Sequence, residues 1–72
     1  MQPESRHRPS SDVLVPRLQD WRLKRALSQQ ELAGLAKVSR TTIIKIEGGR
    51  PAWPKTVRKL ARALKVDPSD LM

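Results

Sequence analysis

Apolar positions fall along this chain in short runs with helical spacing. Val57, Leu60, Ala61 and Leu64 recur at i, i+3, i+4 and i+7, the stripe of a helix with one buried face. That stripe predicts a helix over 55–65. Ile43 and Ile46 mark the inner side of another over 40–47, stopped by Gly48-Gly49. Leu32, Leu35 and Ala36 are the expected inner face of a helix over 29–36, with Gly34 inside it at a cost of up to ~1 kcal/mol. Leu18 and Trp21, three apart, mark the inner face of a first helix over 16–25, with Pro16 in its first turn. A short last turn over 69–72 supplies Leu71.

Start signals agree with these stripes. Ser28 followed by Glu31 is a capping box, in which hydroxyl and carboxylate each satisfy a free backbone N–H. Ser39 is the next N-cap. Asp67-Pro68 is a cap followed by a first-position proline, with Asp70 three residues after Asp67. Arg50 to Pro54 reads as a proline-flanked loop, and no segment alternates with period two for long enough to be a strand. The expected fold class is all-α: a compact domain of five short helices over 13–72. Residues 1–12 offer nothing apolar to bury and read as a disordered basic N-terminal tail, in which Arg6 and Arg8 would suit a groove-reaching arm.

Composition changes the picture in two ways. The 72 residues suffice for one domain and contain no cysteine, so the helices must hold each other. The formal net charge is +8, from 15 Lys+Arg against 7 Asp+Glu. So large an imbalance self-repels, and a polyanionic partner is its natural explanation, nucleic acid first and an anionic membrane surface second. No apolar run approaches the ~20 residues of a bilayer span, and the N-terminus lacks the apolar core of a secretory signal. The reading is a soluble cytoplasmic protein with no membrane partner.

One histidine, no cysteine, no tyrosine and no glycine-rich phosphate loop leave no inventory for an enzyme, a metal site or a cofactor, and no small-molecule substrate is expected. RNA recognition by stacking needs exposed aromatics, and only Trp53 is available.

The connection between the second and third helices is short, Lys37-Val38-Ser39. That is the tight turn of a helix-turn-helix, which holds its second helix out from the body and free to enter a major groove. With Ile43 and Ile46 turned in, Arg40, Thr41, Ile44 and Lys45 turn partly or fully out. Arginine grips guanine O6 and N7 bidentately, and threonine offers a hydroxyl and a methyl.

The stretch from Leu18 to Leu71 resembles the Cro/repressor-type helix-turn-helix family, the XRE family of phage repressors and bacterial regulators, which has the lambda-repressor-like DNA-binding fold. The resemblance rests on Arg22, Leu27-Ser28-Gln29-Gln30-Glu31-Leu32-Ala33 and Val38-Ser39-Arg40-Thr41-Thr42-Ile43. Lys45-Ile46-Glu47-Gly48-Gly49-Arg50, Pro54 and Leu60-Ala61-Arg62-Ala63-Leu64-Lys65-Val66 complete it.

It implies that Ala33 is the small residue at the closest approach of the two motif helices. It also implies base reading by Arg40, Thr41, Thr42 and Lys45, and phosphate contacts by Ser28, Gln29, Ser39, Arg50 and Lys55. Arg22 and Glu47 match a family pair that bridges the first and third helices. Three positions depart from the pattern. Lys37 stands where the family usually has glycine, and a positive φ there would cost about 1–2 kcal/mol. Gly48 stands where a polar phosphate contact is common. Ile44 is apolar at an outward position, where a thymine methyl, a partner protein or incidental exposure would each account for it.

Blander readings stand beside these. The cations Lys55, Arg58, Lys59, Arg62 and Lys65 serve either phosphate attraction or a solvated face. Trp21 is a core residue. Trp53 packs under the loop before the fourth helix, or meets a dimer partner or the DNA backbone. The functional expectation is a sequence-specific double-stranded DNA-binding regulator, a repressor, acting as a homodimer on a palindromic operator. An antitoxin-type module that masks a partner toxin is the competing class, with Ile44, Trp53 and Val13 to Val15 as its surface.

Overall fold

The computed structural model describes residues 13–72, and the tail expected over 1–12, with Arg6, His7 and Arg8, lies outside them. Five helices follow one another: α1 (Leu18–Lys24), α2 (Gln29–Ala36), α3 (Arg40–Glu47), α4 (Pro54–Leu64) and α5 (Pro68–Leu71). α2 packs on α3 and α4, α4 on α5, and α1 on α3. Leu18, Leu32, Ile43, Leu60, Leu64 and Leu71 are fully buried between them. The all-α class is thus the observed one, with no strand longer than an isolated bridge among the described residues.

The caps act as their residue types dictate. Ser28 Oγ accepts from the Glu31 N–H at 3.0 Å while the Ser28 N–H donates to Glu31 Oε1 at 2.8 Å. Ser39 Oγ accepts from the Thr42 N–H at 3.0 Å and opens α3. Each such cap contributes about 1 kcal/mol.

Four helix ends share one device. One or two residues past the helix the chain turns left-handed, directly after it at Lys37 (φ 59°) and Lys65 (60°) and one residue later at Ala26 (57°) and Gly49 (105°). The next N–H then reaches back five residues: Leu27 to Arg22 O, Val38 to Ala33 O, Arg50 to Lys45 O and Val66 to Ala61 O, at 3.0–3.1 Å. Only one of the four left-handed residues is glycine. At the other three ends the following side chain, Leu27, Val38 or Val66, packs partly buried against the core, the apolar contact that accompanies this motif and offsets its backbone strain. Lys37 therefore adopts the family's glycine conformation without the glycine.

Opposite effects are expected at two of these ends. Ala26→Gly relieves left-handed strain and stabilises the domain by about 0.5–1 kcal/mol, after the entropy that glycine adds to the unfolded chain. Gly49→Ala meets no atom within 4 Å of the new Cβ. Its cost, more than about 1 kcal/mol, is therefore backbone strain alone. Urea denaturation of the two variants checks both signs, and a shared sign would contradict the assignment.

Three expectations need correction. The first helix begins at Leu18 rather than Pro16, because Pro16 and Arg17 form a turn, closed by the Leu18 N–H donating to Val15 O at 3.2 Å. Val13 and Ala52 exchange backbone hydrogen bonds of 3.1 and 2.8 Å, and the Arg17 N–H donates to Leu71 O at 3.1 Å. Leu35 does not face inward: α2 buries Leu32, Ala33 and Ala36, and Leu35 is 59% exposed. Trp53 does not pack under the loop; it precedes Pro54, the first residue of α4, and remains 43% exposed.

Trp21 is half-buried against the core, and its indole N–H donates to Asp70 O at 3.1 Å. Lys24 Nζ and Arg25 Cζ lie 4.7 and 5.1 Å from its ring centroid. Arg25 Nε also donates to Leu64 O at 2.9 Å, closing the end of α4.

Candidate nucleic-acid interface

α2 and α3 are separated by Lys37, Val38 and Ser39 alone. The left-handed Lys37 makes that turn tight, and half-buried Val38 anchors it. α3 buries Ile43 and Ile46 and turns Arg40, Thr41, Ile44 and Lys45 to solvent.

A buried ion pair sets the position of α3. Arg22 of α1 donates from Nε to Glu47 Oε2 at 2.6 Å and from a terminal nitrogen to Oε1 at 3.1 Å. Their side chains are only 9% and 6% exposed. The other terminal nitrogen of Arg22 donates to Leu27 O at 2.8 Å. Gln29, at the start of α2, donates its side-chain amide to Glu47 Oε1 at 3.1 Å. One carboxylate at the end of α3 thus joins α1 and α2. The hydrogen bonds that Arg22 donates to Glu47 hold its guanidinium above its ordinary pKa, against the opposing effect of burial.

The remaining site residues divide by position. Arg40, Thr41 and Lys45 project from the exposed side of α3. Thr42 lies at its edge, half-buried, with its hydroxyl 2.7 Å from Ser39 Oγ. Ser28 and Ser39 occupy the starts of α2 and α3, each hydroxyl already accepting a backbone N–H. Arg50 and Lys55 line an open depression of about 590 Å³ between α3 and the start of α4, together with Thr42, Lys45, Trp53 and Thr56. Three cations and no acid line it, so it attracts anions. Sequence reasoning missed the contribution of Gln29 to the buried pair, which joins residues 18 apart.

The acids explain why the cations stand uncompensated. Among the described residues they are Asp20, Glu31, Glu47, Asp67 and Asp70. Glu31 and Asp70 serve capping boxes, Asp67 stands at the N-cap of α5, Glu47 is paired with Arg22, and Asp20 lies exposed in the first turn of α1. Arg58, Lys59 and Arg62 lie exposed on the outer side of α4, away from its buried stripe, and Lys65 lies exposed just past its end. No group of three or more His, Cys, Asp or Glu side chains among the described residues is arranged to hold a metal ion. No helix among them is long and apolar enough to cross a membrane.

A tight turn between two packed helices, the second held out by a buried ion pair and bordered by cations, defines a helix-turn-helix DNA-binding domain. The helix-turn-helix family profile matches residues 18–71, and the chain belongs to that family, of the XRE type. Among solved structures, the restriction–modification controller protein C.AhdI from Aeromonas hydrophila is similar to it. The two share 33% sequence identity and superpose with a TM-score of 0.75, over 82% of this chain and 91% of that one. No curated protein sequence matches the chain. Fold, family and structural relative together make this chain a DNA-binding transcription regulator.

Proposed function

We propose that this regulator reads a palindromic operator as a homodimer and controls its genes by occupying that operator. The carrying observation is the exposed side of α3, with Arg40, Thr41 and Lys45 beside a cation-lined depression and its far end tied down by the Arg22–Glu47 pair. Arg40 and Lys45 supply donors for guanine edges, and Thr41 a hydroxyl and a methyl. Thr42 sits at the rim of this set and orients Ser39. Arg50 and Lys55 take phosphates beside the half-site, and the starts of α2 and α3, where Ser28 and Ser39 are the caps and Gln29 the first residue of α2, take others through the free backbone N–H groups of the first turns.

A single copy offers few base contacts, so two copies on one duplex supply affinity and register. The likeness to a restriction–modification controller favours a restriction–modification operon as the regulated target. Repression is the effect proposed for occupancy of that operator.

Selection from a random duplex library tests this reading. The expected consensus is a palindrome whose half-sites lie about one helical turn, 10–10.5 base pairs, apart. Binding with a steep salt slope and no consensus would overturn it, because contacts to phosphate alone carry no sequence information.

A further inference from the structure

Ile44 is the one apolar residue on the exposed side of α3, and it is 44% exposed. Successive helical residues are rotated by about 100°, which places Ile44 about 40° from Arg40, 60° from Thr41 and 100° from Lys45. It therefore sits within the exposed side, between Arg40 and Thr41, rather than at its edge. Its exposed neighbours there are two cations and a threonine. A β-branched residue slightly weakens a helix, and Ile44, outside the buried cluster that Ile43 and Ile46 join, returns little of that through packing. An apolar group ringed by cations suits a surface that is itself strongly anionic yet carries an isolated apolar point. The major groove of DNA has one such point, the C5-methyl group of thymine.

We propose that Ile44 is a specificity-determining residue that packs on a thymine C5-methyl in each half-site. The inference rests on the proposed reading of DNA by α3 and adds a contact to it. Arg40 and Lys45 select by hydrogen bonding, whereas Ile44 selects thymine over every base that lacks the methyl.

The test replaces each thymine of the library-selected operator in turn by deoxyuridine, which keeps every hydrogen-bonding group and removes only the methyl. The wild-type chain is expected to lose about 3- to 5-fold in affinity per half-site at one thymine position, the effect of uncovering about one methyl group. Ile44→Ala should bind the thymine and deoxyuridine operators equally, while Thr41→Ser should still tell them apart at that position. Its half-exposed site lets Ile44→Ala fold, which its unfolding curve checks.

Three results would overturn the inference. One is wild-type binding that is specific but indifferent to every deoxyuridine. Another is discrimination that survives in Ile44→Ala or disappears in Thr41→Ser. The third is weakened self-association of Ile44→Ala with its thymine preference intact, which would make Ile44 a protein contact. A wild-type chain that selects no consensus overturns the DNA-reading proposal itself, so the two failures are distinguishable.

Discussion

Glu47→Ala should destabilise the folded domain by about 3 kcal/mol or more, the cost of leaving a buried partner charge unpaired. In this chain the orphan is the Arg22 guanidinium, which would lose two of its three hydrogen-bond acceptors and keep only Leu27 O. Gln29 would lose its acceptor too. A domain of about 60 residues has a total stability of roughly 3–9 kcal/mol, so this single change brings it close to unfolding. Removing both charges with apolar replacements of similar size, Arg22→Met with Glu47→Leu, should cost much less, because no unpaired charge stays behind. Arg22→Lys keeps the charge but loses the fork, and should resemble Glu47→Ala more than the double variant. Urea denaturation of the three variants checks this ordering. Single and double variants of equal, small effect would show that the pair behaves as a surface contact.

Arg40→Ala should leave the fold intact and remove most specific DNA binding. The side chain is exposed at the start of α3 and accepts no structural duty among the described contacts. A bidentate arginine–guanine contact discriminates by about 1–3 kcal/mol, and the proposed symmetric dimer would make it twice. The expected loss is thus about 2–6 kcal/mol, roughly 30-fold to 10⁴-fold in affinity. That loss should fall on one base pair of each half-site, where the variant ceases to distinguish bases. Equal weakening on every sequence would instead make Arg40 a phosphate contact. The matching change at Lys45 should act at a second position, because the two residues lie on different turns of α3.

The sequence carried much of this architecture in local signals. α2 and α3 begin, and α3 ends, where Ser28, Glu31, Ser39 and Gly48-Gly49 indicate, since caps and stops act over three or four residues. The α4 stripe was legible because four large or small apolar residues repeat on one side.

Non-local interactions were not legible. Leu35 lies about 60° beyond Leu32, on the side away from Ala33, and apolar spacing alone gives no centre to the buried side. The pairing of Val13 with Ala52 joins segments that show no strand periodicity, and Pro16 and Arg17 form a turn between that bridge and the first helix. The left-handed ends at Ala26 and Lys65 carry no glycine, so their only signal was the apolar residue that follows each. The exposed side of α3 was readable from Ile43 and Ile46. The joining of Gln29 to the Arg22–Glu47 pair needed the fold, because it depends on where three helix ends meet.

The most direct test of the account is the affinity ratio between the selected operator and a scrambled duplex of equal length, titrated at the same near-physiological salt. Reading of base edges by α3 predicts a ratio of about 10³ or more, falling sharply in Arg40→Ala. Equal affinity for the two duplexes would contradict it and leave a protein that holds DNA through phosphate alone.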